Sequence, residues 1–238
     1  VRTALVRASE AAAVVAALPK HLRPIELPGA WRMVLSAFES DVAGFAAEPV
    51  EAAHSLPAPV VMVAGASGLG KSTLAFNIAR HAAEQGSVVG VFSLEMSREQ
   101  LALRILASDA GVDSHRLRLG LYTEAEEQRL IDAIGQLSDL PVYIDDTPFQ
   151  TMTEMRSKAR RLLLEHGLDL LVVDYLQLIQ GRGRGGTENR VQEISEISRS
   201  LKIMARDLNI ALITCSQLSR GVEQRTGHRP VLSDLRDS

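Results

Sequence analysis

The sequence has little of several features that would assign it to a class at once. Its 238 residues include a single cysteine, Cys215, which excludes an internal disulfide framework and is typical of a reducing compartment. Aromatic residues make up only 4%, so a core must be built from aliphatic side chains. No apolar run approaches the roughly 18 residues of a membrane span. The N-terminal stretch carries Arg7, Glu10 and Lys20 where a signal peptide needs an apolar region.

An excess of either charge is also missing, because 26 Lys and Arg residues stand beside 29 Asp and Glu residues, for a net charge of −3. The overall charge therefore does not mark a general nucleic-acid binder, and any such contact would come from local loops. The six histidines show no metal-ligand spacing with the cysteine, so we expect no structural metal. Together these features predict a cytoplasmic protein that does not enter a membrane.

Composition divides the chain near residue 57. Residues 1–57 are rich in alanine, and the spacing of apolar residues predicts helices over 3–18 and 30–47, so we expect a divergent helical N-terminal extension and linker. Residues 58–238 instead alternate short apolar runs with helical stretches. This alternation predicts an α/β domain with a mostly parallel sheet flanked by helices.

The helix starts are marked as clearly as the strands. Ser97, Thr123 and Thr151 each stand three residues before a Gln or Glu, which is the capping-box pattern. The expected strands lie at 59–65, 87–96, 141–146, 168–178 and 210–219, and the expected helices at 71–86, 97–111, 126–138, 154–167 and 190–209.

The stretch GASGLGKST follows the first apolar run and opens the next helix. Gly65, Gly70, Lys71 and Ser72 fit G-x-x-x-x-G-K-[ST], in which backbone N–H groups and the helix N-terminus surround phosphate oxygens. Lys71 would reach the β- and γ-phosphates and Ser72 would bind Mg²⁺. The alternative is a plain glycine-rich turn with an exposed lysine. We expect ATP to contact Gly65, Ala66, Ser67, Gly68, Leu69, Gly70, Lys71, Ser72 and Thr73.

Three polar residues stand at the ends of other expected strands. Asp174 follows four apolar residues, as a metal-side Walker B carboxylate does. Glu95 and Gln217 end the second and fifth strands, where a carboxylate can activate water and an amide can contact a γ-phosphate. Ordinary polar strand ends are the alternative for each. Because ligands bind at the carboxyl ends of parallel strands, we expect the three side chains to converge on the phosphate loop.

Basic residues cluster in two loops. Arg182 and Arg184 lie in GRGRGG, and Arg220 opens a local basic patch that ends at Arg236. Such residues can contact a phosphate backbone, and a solvated surface is the alternative. We take these four arginines as candidate DNA contacts.

Five segments in this order carry a resemblance to a known family: FSLEMSREQL, VYIDDTP, LVVDYLQLI, ENRVQEISEISRSLK and SQLSRGVEQRTGHRPVLSDLR. Together they resemble the motor domain of the DnaB-type replicative DNA helicase, over about residues 58–238. The resemblance implies a RecA-like core in a homo-hexameric ring that moves 5′ to 3′ along single-stranded DNA and hydrolyses ATP with Mg²⁺. It also implies primase and a helicase loader as partners.

The same resemblance implies roles for individual residues. Lys71 and Ser72 match the phosphate- and Mg²⁺-binding residues, Glu95 the catalytic carboxylate and Asp174 the Walker B acid. Gln217 matches the residue linked to the γ-phosphate. Arg236 matches the start of the loop that grips the DNA backbone in the pore.

Three departures from the family pattern accompany the resemblance. The phosphate loop is closer to a generic P-loop, and residues 1–57 do not resemble the family's N-terminal domain. The chain stops at SDLRDS, before the lysine and arginine that reach into the neighbouring subunit, so we expect a motor that is incomplete at its C-terminal end. Two other functions stay open at this point: a RecA/RadA-type recombination ATPase, and a non-enzymatic nucleotide-binding remnant or regulator of a helicase ring.

Overall fold

A six-stranded parallel sheet forms the centre of the computed structural model, which describes residues 4–6, 60–65, 67–180 and 187–218. In spatial order the strands run β1-β2-β6-β5-β3-β4. Their bounds are Ala4–Val6 for β1, Val60–Gly65 for β2, Val89–Ser93 for β3, Val142–Asp145 for β4, Leu170–Asp174 for β5 and Ala211–Gln217 for β6.

Helices connect the strands and cover both faces of the sheet. The described helices are α1 at Lys71–Glu84, α2 at Arg98–Ala110, α3 at Ser114–Arg118, α4 at Glu124–Ser138, α5 at Met152–His166 and α6 at Thr187–Leu208. A 3₁₀ turn at Leu176–Leu178 follows β5. None of the helices in these ranges is both long and apolar enough to span a membrane.

The strands alternate their side chains between two cores, as the period of two requires. In β5, Leu170 and Val172 pack against α1, whereas Leu171 and Val173 pack against α5 and α6. Full burial of each such side chain stabilises the fold by about 1.5–3 kcal/mol. Because helices cover both faces of the sheet, its central strands are continuous apolar runs. This arrangement confirms the predicted α/β domain with a mostly parallel sheet flanked by helices.

The predicted helix caps are present. The side chains of Ser97, Thr123 and Thr151 each accept a hydrogen bond of 3.3 Å from the backbone N–H three residues on. Glu126 and Glu154 complete two capping boxes by accepting from the cap backbone N–H at 2.7 and 2.8 Å. Each cap is worth about 1 kcal/mol, and together they fix where α2, α4 and α5 begin.

The expected helix over 3–18 is wrong at Ala4–Val6, which forms β1 and pairs in parallel with β2 from Ala4↔Val61 to Val6↔Val63. The physical reason is that the outer edge of β2 offers unpaired backbone groups, which can outweigh the local helix preference of a short apolar segment. The rest of the expected extension, including the helix over 30–47, lies outside the described residues. The boundary at residue 57 stays a prediction.

Candidate active site

A cleft of about 350 Å³ lies at the carboxyl ends of the central strands. It is bounded by the loop after β2 and by residues at or just after the ends of β3, β5 and β6, so the expected convergence is observed. The candidate residues that line the cleft are Ser67, Gly68, Gly70, Lys71, Ser72, Thr73, Glu95, Asp174 and Gln217.

The other candidates lie elsewhere. Gly65 is the last residue of β2, Leu69 is 46% exposed, and neither residue is part of the cleft lining. Ala66 falls outside the described residues, as do the four candidate DNA contacts Arg182, Arg184, Arg220 and Arg236. The roles of all the candidate residues stay predictions.

The loop before α1 is shaped by two glycines. Gly68 and Gly70 both adopt a φ of +80°, in the left-handed region that side chains with a Cβ rarely occupy. Gly70 is also the N-cap of α1 and has no side chain to cap the helix, and the first turn carries no acidic residue. The positive end of α1 therefore faces the cleft without an anion from its own first turn, which suits the binding of a phosphate.

Lys71 brings a cation to this helix end. Burial lowers the pKa of Lys71, while the nearby acidic groups of Cys215, Asp174 and Glu95 act in the opposite direction. A half-buried ammonium group has lost part of its hydration, so a bound anion would restore a favourable environment.

Asp174 is the most buried residue of the cleft lining. It is only 1% exposed, and neither carboxylate oxygen has a hydrogen-bond partner among the described residues. Burial raises the pKa of Asp174, although the Ser72 hydroxyl, the Cys215 thiol and the charges of Lys71 and Arg104 favour its ionised form. The hydroxyl and the thiol are thus close to the carboxylate without meeting strict hydrogen-bond geometry.

An unsatisfied buried carboxylate is costly unless a cation or donor completes it. The carboxylate oxygens of Asp174 and the neighbouring Ser72 hydroxyl are hard oxygen donors, the type that Mg²⁺ prefers. The donors present at Ser72 and Asp174 therefore fit a magnesium ion.

The turn that carries Glu95 is held firmly. The Ser93 hydroxyl donates to the Met96 carbonyl at 2.6 Å, and the Leu94 N–H donates to the Asp174 carbonyl at 2.8 Å. Glu95 itself is exposed and lines the cleft. A solvated carboxylate at this position can accept a proton from a water molecule or orient it.

Sequence reasoning missed Arg104, Met96 and Tyr175, which also line the cleft. Arg104 lies on α2, and its charge acts on Asp174. The signal was available in part, because Arg104 stands three residues after Leu101, the fully buried side chain that packs α2 toward α1. The three-residue spacing places Arg104 on the same face of α2 as Leu101, and the packing of α2 brings it to the cleft.

The comparisons with known proteins agree with this geometry. Residues 56–238 match the family model for the DnaB-like helicase C terminal domain. The chain is 51% identical over 182 residues to the replicative DNA helicase DnaB of Nostoc sp., a match that covers 75% of this chain and 20% of that protein. It is 48% identical over 180 residues to the DnaB of Geobacillus stearothermophilus, covering 75% and 39%. The chain thus spans well under half the length of these relatives.

Solved structures support the same assignment. A DnaB-like replicative helicase, solved in a study of its interactions with primase, superposes with a TM-score of 0.72 at 29% identity, over 91% of this chain and 54% of that one. A solved ATPase domain gives a TM-score of 0.72 at 30% identity, over 91% and 79%. These likenesses confirm the predicted RecA-like core. The chain belongs to the family of DnaB-like helicase C-terminal domains.

Proposed function

We propose that this chain is the motor part of a replicative DNA helicase, which couples ATP hydrolysis to 5′ to 3′ movement on single-stranded DNA and to duplex unwinding. The observation that carries the proposal is the cleft that joins the open N-terminus of α1 and Lys71 to the unsatisfied Asp174. Membership in the helicase family supports it over the RecA/RadA-type alternative.

The residues of the cleft divide the chemistry among them. The loop N–H groups, the start of α1 and Lys71 bind the β- and γ-phosphates. Ser72 and Asp174 would hold Mg²⁺, and a bound ion would supply positive charge against the phosphates. Glu95 orients and deprotonates the attacking water, and Gln217 contacts the γ-phosphate.

Contacts with DNA complete the proposed motor. Arg182, Arg184, Arg220 and Arg236 bind the DNA backbone, which suits a motor that must run over any sequence. The chain works in the cytoplasm as part of a homo-hexameric ring with primase and a helicase loader as partners. The relative solved in the study of its interactions with primase supports that partner.

The test is ATP turnover by the purified chain, with and without single-stranded DNA, measured beside its mass in solution. DNA-stimulated turnover by a ring-sized assembly is the expected result. Nucleotide binding by a monomer without turnover would overturn the motor assignment and indicate a nucleotide-binding remnant or regulator. DNA strand exchange would indicate a recombination ATPase instead.

Glu95→Gln makes this test specific. The amide cannot accept the proton of water, so hydrolysis should fall by roughly 10²–10⁴-fold while nucleotide binding is retained. The matched control is Glu99→Gln, because Glu99 lies in the first turn of α2 outside the cleft. Equal turnover by the two variants would mean that Glu95 is not the base.

A further inference from the structure

Beside the cleft, strand β5 ends before the neighbouring strand β6 does. The pairing of β5 with β6 runs from Leu170↔Ala211 to Val173↔Thr214, and β5 ends at Asp174. On its other side β6 stays paired with β2 as far as Gly65↔Gln217. The β5 side of Gln217 therefore has no strand neighbour among the described residues.

The side chain of Gln177 occupies this place. Its Nε2 donates to the Gln217 carbonyl oxygen at 2.8 Å and to the Ser216 hydroxyl at 3.0 Å, and its Oε1 accepts from the Gln217 N–H at 3.2 Å. In a strand the N–H and C=O of one residue point to the same side. The amide of Gln177 thus pairs with Gln217 as a residue of an additional strand would.

The turn that carries Gln177 is firmly anchored. Leu176 and Ile179 on either side of it are at most 1% exposed, and the Ile179 N–H donates to the Leu176 carbonyl at 3.2 Å. The Ser216 partner is also buried, at 1% exposure. Loss of the amide would leave the part-buried Gln217 N–H without this acceptor, which is unfavourable, whereas the Ser216 hydroxyl would still donate to the Gln217 carbonyl at 3.3 Å.

We propose that Gln177 is a positioning residue that fixes Gln217 in the nucleotide cleft and ties it to the segment after Asp174. The part of this inference that concerns the γ-phosphate rests on the proposed function, which assigns that contact to Gln217 in the cleft lining.

The geometric half of the proposal is tested by hydrogen exchange of the Gln217 amide in the ligand-free protein. Gln177→Leu keeps the bulk of the side chain but removes its donor and acceptor, and exchange should become roughly 2- to 12-fold faster, as expected for one net hydrogen bond. Gln180→Leu is the matched control, because Gln180 is exposed, lies two residues past the turn and is not part of the cleft. Unchanged protection in Gln177→Leu would overturn the proposal.

The functional half is tested by the preference for ATP over ADP, expressed as the Kd for ADP divided by the Kd for ATP. Gln177→Leu should lower this ratio roughly 2- to 12-fold, because a loosened Gln217 loses its γ-phosphate contact. Gln217→Ala should lower it too, and the double variant should match Gln217→Ala alone. Additive losses would mean that Gln177 acts independently of Gln217, and an unchanged ratio would overturn the positioning role.

The two measurements separate failure of this inference from failure of the proposed function. Exchange at Gln217 is measured without nucleotide, so it reports on the link even if the chain proves not to hydrolyse ATP. Gln177→Glu provides a second variant, because it keeps the acceptor for the Gln217 N–H and places a carboxylate against the Gln217 carbonyl. Because the acceptor is kept, Gln177→Glu should accelerate exchange of the Gln217 amide less than Gln177→Leu does, and an equal acceleration would mean that this acceptor does not protect the amide.

Discussion

The N-termini of α4 and α1 differ in how they are capped. Side chains of the chain itself cap α4, whereas α1 has no side-chain cap. At α4, Thr123 and Glu126 form a reciprocal capping box, and the first turn holds three acidic residues. At α1, the cap is Gly70 in a left-handed conformation, and the first turn has no acidic residue. The positive end of α4 is therefore neutralised from within, whereas that of α1 is available to an external anion.

The carboxylates of the two regions differ in the same way. Glu126 accepts hydrogen bonds from the Thr123 backbone at 2.7 Å and from both Arg116 guanidinium nitrogens at 2.9 and 3.0 Å, and the pKa of Glu126 is lowered to about 2. Asp174 has no such donors among the described residues, and burial raises its pKa. Charged groups that find hydrogen-bond partners within the chain contribute to stability. Charged groups in a cleft that lack such partners are candidates for ligand binding.

Lys71→Ala should give the largest effect. It removes the phosphate-facing charge, and loss of one such electrostatic contact typically costs about 10²–10³-fold in hydrolysis. Lys158→Ala is the matched control, because Lys158 is paired with Asp145 at 2.6 Å outside the phosphate cleft. In turnover assays, Lys71→Ala should lose activity and Lys158→Ala should keep it. Lys158→Ala should lose only thermal stability. Unchanged ATP affinity and turnover in Lys71→Ala would contradict the assignment of the phosphate loop.

Asp174→Asn should have opposite effects on stability and on binding. The neutral amide removes a buried charge that has no hydrogen-bond partner among the described residues, so the melting temperature of the ligand-free protein should rise at neutral pH. Magnesium-dependent nucleotide binding should weaken at least about 10-fold, since even outer-shell partners of metal sites contribute that much. Calorimetry with and without Mg²⁺ checks both. A lower melting temperature with intact magnesium dependence would contradict the account.

Thr123→Ala should act on stability alone. It removes one side of the capping box at α4 and should cost about 1 kcal/mol of unfolding free energy. Denaturant unfolding measures that loss, and nucleotide affinity measured in parallel should stay unchanged. A matching loss of nucleotide affinity would show that the two regions are not independent.

The pH dependence of stability should give the smallest effect. Because the pKa of Glu126 falls from 4.5 to about 2 on folding, its stabilising contribution is fully present above pH 4.5 and is lost as the pH falls toward 2. Melting curves of the wild type and Glu126→Gln should therefore converge at the acid end of this range. A constant difference between the two curves would mean that the Glu126 charge is not responsible.

Much of the fold could be predicted because strands and helices differ in period. The strand expected over 168–178 shows where that reasoning stops, since β5 ends at Asp174 and the next residues form a 3₁₀ turn. Leu176 is as buried as the strand residues, so apolarity alone does not distinguish the two. The helix at Ser114–Arg118 was missed because five residues are too few to show a helical period.

The site could be predicted from the motif of the phosphate loop and, beyond that loop, only as far as its residues stand at strand ends. Asp174, Glu95 and Gln217 follow that rule, and all line the cleft. Arg104 and Gln177 do not, because their positions depend on how α2 packs and on β5 ending before β6. Such contacts arise from tertiary packing and leave only a weak local pattern in the sequence.

The most direct test of the central claim is a calorimetric titration of the wild-type chain with ATP, in the presence and absence of Mg²⁺. The account predicts that ATP binds clearly more tightly with Mg²⁺, because the N-terminus of α1, Lys71 and Asp174 form a site for a magnesium nucleotide. Asp174→Asn should abolish the difference. Equal affinity with and without Mg²⁺ in the wild type would contradict the account, because the buried carboxylate of Asp174 would then have no part in binding.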